Sequence, residues 1–130
     1  MNIAFILSII ASIILGCGPQ KYPAEIVNSP SGKYQIKATI NTDESDKTKY
    51  LCVQLHLLDA QGKELSQLQS SASYTMKWAI GWMEKDDIVI LYSSDIGTYA
   101  YKIENNTLEK IKTTDVIIKR GEQLKKLKYE

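Results

Sequence analysis

Residues 74–92 read YTMKWAIGWMEKDDIVILY, and the way this stretch divides decides the fold. Its first half alternates, with Met76, Trp78, Ile80 and Trp82 on one side and Lys77, Ala79 and Gly81 on the other. A period of two sends successive side chains to opposite faces, so this half predicts a strand with one bulky face. Glu84, Lys85, Asp86 and Asp87 then turn the chain. Residues 88–92, IVILY, are apolar at every position, the pattern of a strand covered on both faces and therefore central in its sheet.

The same reading extends outward in both directions. Residues 98–103 alternate with Tyr99, Tyr101 and Ile103 together, and Asn105-Asn106 is a hairpin signal leading into a short strand over 107–111. Toward the N-terminus, residues 33–40 alternate cleanly, and residues 50–59 form a strand with Leu51, Val53, Leu55 and Leu57 facing one way. A polar loop over 41–49 joins them, and Gly62 closes a tight turn into a weaker strand over 64–69. From Thr114 the period changes to that of a helix, with Val116, Ile117, Leu124 and Leu127 near one stripe and a basic opposite face. Gly121 weakens this helix by about 1 kcal/mol. The expectation is a mainly β (α+β) domain, an antiparallel meander of about seven short strands with a C-terminal helix.

Residues 18–32 hold all three prolines and lack a period, which suits a tether of about 30–40 Å. Alternatively, Ile26 and Val27 already pair as a short first strand. Ser29-Pro30-Ser31-Gly32-Lys33-Tyr34 resembles the opening of a β-propeller blade, but the chain holds about two blades, too few to close a ring. The motif is therefore read as a turn device.

Residues 3–15 carry no charge and only two serines. As a helix the run would reach about 20 Å, short for a bilayer core of about 30 Å but suited to a secretory signal. It ends in Ile14-Leu15-Gly16-Cys17, which resembles the lipobox of bacterial lipoproteins. The resemblance implies diacylglyceryl transfer to the Cys17 sulfur, cleavage between Gly16 and Cys17, and acylation of the new amino terminus. An ordinary secretory signal with Cys17 retained and an uncleaved short anchor are the competing readings. The domain plan is then a signal peptide over 1–16, a lipidated cysteine and tether over 17–32, and a globular domain over 33–130. Gly18 lacks the Asp that, by resemblance, retains such proteins at the inner membrane, which points to the periplasmic face of an outer membrane where a cell has one.

A net charge of +1 supplies no global field for nucleic acid. With Cys17 lipidated, Cys52 is alone and reads as a small buried hydrophobe. His56, the only histidine, lies about 13 Å from Cys52 along the same strand face, too far for a dyad, and one His with one Cys argues against zinc. Asp43, Glu44 and Asp46, like Asp86 and Asp87, read as solvated hairpin tips without calcium-loop spacing. No phosphate cradle or cofactor motif appears. Trp78, Trp82, Tyr99 and Tyr101 fill a sheet core or stand out as a contact surface. The basic helix face is either solvated or near anionic headgroups.

The preferred expectation is a non-enzymatic binding or structural lipoprotein of the envelope, held to a bilayer through Cys17. An immunity-type protein that neutralises a periplasmic toxin is the more particular version. An envelope hydrolase is the third, and it would need carboxylates such as Asp87 and Asp95 to converge.

Overall fold

The computed structural model describes residues 21–130. The strands run β1 (Glu25–Asn28), β2 (Tyr34–Ile40), β3 (Cys52–Asp59), β4 (Glu64–Ser73), β5 (Trp78–Trp82), β6 (Ile88–Ser93), β7 (Tyr99–Glu104) and β8 (Thr107–Ile111), followed by helix α1 (Asp115–Tyr129). They form two antiparallel four-stranded sheets, β1-β2-β3-β4 and β5-β6-β7-β8, each in sequence order. The mainly β meander with a C-terminal helix is therefore the observed class. Its division into two sheets goes beyond the single meander expected, and its eighth strand is the short first strand offered as the alternative to a tether. That extra strand is β1, whose Ile26 and Val27 pair with Lys37 and Ile36, so the first described strand begins at Glu25 within the stretch otherwise expected to be tether.

Alternation explains why the sheets face each other. Ile36 and Ala38 of β2 and Val53, Leu55 and Leu57 of β3 project inward against Trp78, Ile80 and Trp82 of β5, Val89 and Leu91 of β6 and Tyr101 of β7. β6 carries a second apolar row, Ile90 and Tyr92, on its other face, where α1 packs with Ile117 and Leu124. That is why IVILY has no polar position. Its strand is central in a sheet buried on both sides.

The helix stripe differs from the one expected. Ile117, Gly121 and Leu124 are buried, whereas Val116 and Leu127 are 64% and 77% exposed. Two glycines let the helix lie this close. A Cβ on Gly81 would stand 2.6 Å from Leu124 Cδ2, and one on Gly121 would stand 2.8 Å from Thr98 Oγ1. Gly121 costs helix propensity but permits contact. Thr114 caps the start, its side chain accepting from the Ile117 N–H.

Between β4 and β5 the chain changes sheets. The Ser73 hydroxyl accepts from the Thr75 N–H at 3.2 Å, and the Met76 N–H bonds back to the Ser73 carbonyl, which makes a tight turn. Asn105 and Asn106 both adopt positive φ in the two-residue turn between β7 and β8, as their type predicts. Leu51 also has positive φ, 61°, so β3 starts at Cys52 and Leu51 does not share the Val53 face.

One flank of the sandwich brings the edge strands β1 and β5 together. The Trp82 indole N–H donates to the Val27 carbonyl at 3.0 Å. Helix α1 caps the outward backbone groups of β5. The Tyr129 hydroxyl accepts from the Trp78 N–H at 3.0 Å and donates to the Trp78 carbonyl at 2.9 Å. Arg120 Nε donates to the Trp82 carbonyl at 2.7 Å. An open strand edge is a template for another chain, and these contacts occupy it.

Candidate functional site

Two places in the fold concentrate chemistry. The first is the outer face of β2-β3-β4, which α1 does not cover. There His56 lies between Lys37 of β2 and Gln67 of β4. Its Nε2 is 2.7 Å from Thr39 Oγ1 and its Nδ1 is 2.5 Å from Glu64 Oε1. Glu64 and Gln67 are an odd number of residues apart and would normally point to opposite faces. A register shift between Leu57 and Leu58 re-aims Glu64 so that both lie over β3, and Gln67 Nε2 donates to Glu64 Oε2 at 2.7 Å. These hydrogen bonds, first from Gln67 and then from His56, hold the Glu64 carboxyl below its ordinary value of 4.5.

The order hydroxyl, imidazole, carboxylate is that of a nucleophile with its base and orienting acid. Chemistry of that kind also needs a cleft that excludes water and donors for a developing oxyanion. Thr39 and His56 instead stand on the outer face of the sheet, flanked by Lys37 and Gln54, with the imidazole itself buried. The imidazole has both nitrogens engaged, which stabilises a buried polar group. Cys52 is free and buried, and burial pushes its thiol above 9.0, away from reactivity at neutral pH.

The second place is the end of the sandwich where the described chain begins. Tyr22 packs edge-on against Tyr74, with ring centroids 4.8 Å apart. Behind them Lys128 Nζ lies 3.3 Å from the Trp78 ring centroid and 2.9 Å from Glu25 Oε2. Lys77 Nζ sits 5.6 Å from the Tyr129 ring centroid. Together they line an aromatic and basic groove of about 520 Å³.

Of the residues singled out from sequence, Gly16 and Cys17 lie outside the described residues. Trp78, Trp82 and Tyr101 are only 5%, 3% and 3% exposed, so they are core and cannot form a contact surface. Burial, with Tyr99 nearby, raises the Tyr101 phenol to about 12. Tyr99 is half-buried beneath Lys110, whose Nζ lies 4.5 Å from the ring centroid. Asp87 and Asp95 occupy turns at opposite ends of β6. Asp87 accepts from Ser31 and Asp95 from the Ser73 N–H, so they do not converge.

The acidic loop is held by its own backbone. Asp46 Oδ1 accepts from the Lys49 and Thr48 N–H groups, which lowers its carboxyl below 3.8 against the opposing effect of desolvation. Among the described residues no group of three or more His, Cys, Asp and Glu could hold a metal ion. The basic helix face is partly spent within the protein, Arg120 on Trp82 and Glu84, Lys125 on Glu122 and Lys128 on Glu25. Among the described residues no helix is long and apolar enough to cross a membrane.

The sequence pattern places Met76 on the bulky face with Trp78, but β5 starts at Trp78 and Met76 stands 45% exposed in the turn before it, while Tyr22 and Tyr129 carry no local signal. They are neighbours only because the segment leading into β1, the β4–β5 turn and the end of α1 meet in the folded domain. Comparison of the chain with protein-family models, with curated proteins and with solved structures finds no match in any of the three.

Proposed function

We propose that this protein is a lipoprotein of the bacterial cell envelope, held at a bilayer by acyl chains on Cys17, with its β-sandwich serving as a non-enzymatic binding or structural module. The observation that carries the reading is the uncharged apolar run closing in Ile14-Leu15-Gly16-Cys17. The placement of β1 is compatible with it. The strand begins at Glu25, eight positions beyond Cys17, so cleavage after Gly16 leaves every sheet hydrogen bond among the described residues intact. Two or more acyl chains suffice for stable anchoring, since each buried CH₂ contributes about 0.8 kcal/mol.

The non-enzymatic part of the reading is supported by the side chains that would have to do chemistry. His56 is buried with both ring nitrogens engaged, Cys52 is buried, and Asp87 and Asp95 are separated. In a cell with two membranes the proposed address is the periplasmic face of the outer one. Metabolic incorporation of a fatty-acid probe tests the anchor. Label should appear on the wild-type chain and vanish in Cys17→Ala. An unlabelled wild type, or label that survives the substitution, overturns the reading.

A further inference from the structure

We infer that the end of the sandwich carrying Tyr22, Tyr50, Tyr74, Met76 and Tyr129 is a membrane-docking surface that rests in the headgroup layer of the bilayer. The inference rests on acylation of Cys17 and adds an orientation to it.

The first argument is covalent reach. Tyr22 packs on Tyr74 at this end, and the sheet begins three residues later at Glu25. Tyr22 lies five positions beyond Cys17, and five steps of chain span at most about 17 Å however they are arranged. A sulfur fixed at the bilayer therefore keeps Tyr22 within about 17 Å of it. The far end of the domain lies a strand length further, about 23 Å for a seven-residue strand such as β2. The short tether selects one end.

The second argument is what that end exposes. Tyr50, Tyr74, Met76 and Tyr129 are 41%, 38%, 45% and 40% exposed. They converge because the Tyr74 N–H bonds to the Leu51 carbonyl and the Tyr129 hydroxyl bonds to Trp78. The other large exposed hydrophobics, Ile26, Val116, Ile118 and Leu127, stand on β1 and along α1. Tyrosines favour the membrane–water boundary because their rings are apolar and their hydroxyls need water, which applies here to Tyr50 and Tyr74, while Tyr129 offers its ring and spends its hydroxyl on Trp78. Lys21, Lys49 and Lys77 can lay their methylene stems along the same layer with their ammonium groups in water. Asp43, Glu44 and Asp46 share this end, so its charges nearly balance. The contact is therefore one of ring and thioether insertion, and a surplus of anionic lipid is not its source.

The test uses the full acylated chain in vesicles of phosphatidylethanolamine and phosphatidylglycerol that contain a phospholipid with a photoactivatable group at headgroup depth. Mass spectrometry first establishes acylation of Cys17, and flotation establishes anchoring. After illumination, peptides covering 74–77 and 128–130 should carry several-fold more lipid adduct than those covering 59–63 and 84–87. The preference should persist in 0.5 M salt. The double substitution Tyr74→Ser with Met76→Ser should abolish the preference while flotation remains.

A chain without acyl mass that fails to float refutes the anchor itself. An acylated, floating chain with equal labelling at both ends overturns the docking surface and leaves the anchor standing. Absence of adduct at 74–77 because a second copy covers it would overturn the docking surface as well. A preference that salt removes would overturn the insertion account.

Discussion

Replacing Gly81 with alanine gives the sequence and the structure opposite signs, so the substitution is decisive. Glycine inside a strand costs about 0.5–1 kcal/mol relative to alanine, and a propensity argument alone predicts that Gly81→Ala stabilises. In the folded protein the added Cβ would meet Leu124 Cδ2 at 2.6 Å, Cδ1 at 2.9 Å and Cγ at 3.3 Å. Leu124 is buried beside Ala79, Ile90 and Tyr92, so it has little room to retreat without lifting α1. Overpacking of this kind costs about 1–3 kcal/mol. Taking the middle of each range, the expected net effect is a loss of about 1 kcal/mol after the propensity gain is subtracted.

Urea unfolding followed by the fluorescence of buried Trp78 and Trp82, in a mild non-ionic detergent, measures the change. Leu124→Ala alone removes a buried leucine and should cost about 2–4 kcal/mol. In the double variant the new methyl occupies space that Leu124 left, so the two losses should sum to more than the double variant shows, by at least about 1 kcal/mol. An unchanged or raised midpoint for Gly81→Ala, or strict additivity in the cycle, would show that the helix does not bear on Gly81.

Three further outcomes are expected. Gly121→Ala should also lower the urea midpoint despite better helix propensity, because its Cβ would stand 2.8 Å from Thr98 Oγ1, and Thr98→Ala should restore part of the loss. Tyr129→Phe removes both hydrogen bonds to the Trp78 backbone and should cost about 1–2 kcal/mol, with faster hydrogen exchange at the Trp78 amide; unchanged exchange would mean that the edge is covered by other means. The depressed Glu64 carboxyl contributes stability above its unfolded value of 4.5, and that contribution is lost as pH falls through the lower folded value. Glu64→Gln should therefore lower the midpoint more at pH 7 than at pH 3, and a gap independent of pH would refute the linkage.

Much of the strand plan is legible in the sequence, because half-buried strands write their period directly. The β5 alternation, the doubly apolar β6, the Asn105-Asn106 turn and the helix start at Thr114 all follow from local pattern. What local pattern could not supply is the partner of each face. Trp78 and Trp82 look the same in sequence whether they face solvent or a second sheet, and only the division of the meander into two layers buries them. β1 is too short to show a period and is held by a neighbour 55 positions away, through Trp82. The Glu64–His56 contact depends on a register shift that no residue announces. Val116 and Leu127 fitted the apolar stripe, but the close approach at Gly81 and Gly121 rotates the buried face to Ile117 and Leu124. The docking end is the least legible feature, since its members come from four separate parts of the chain.

The stitching of β1 has a mechanical consequence. Tension arriving from the N-terminal side enters at Glu25 and runs lengthwise along the strand, so its four rungs to β2 are loaded side by side, not peeled one after another. The Trp82 indole on Val27 and Lys128 on Glu25 act as cross-bolts to the second sheet and the helix, and they spread the same pull over the whole sandwich. A domain strung this way can be pulled from its N-terminal side without its first strand unravelling.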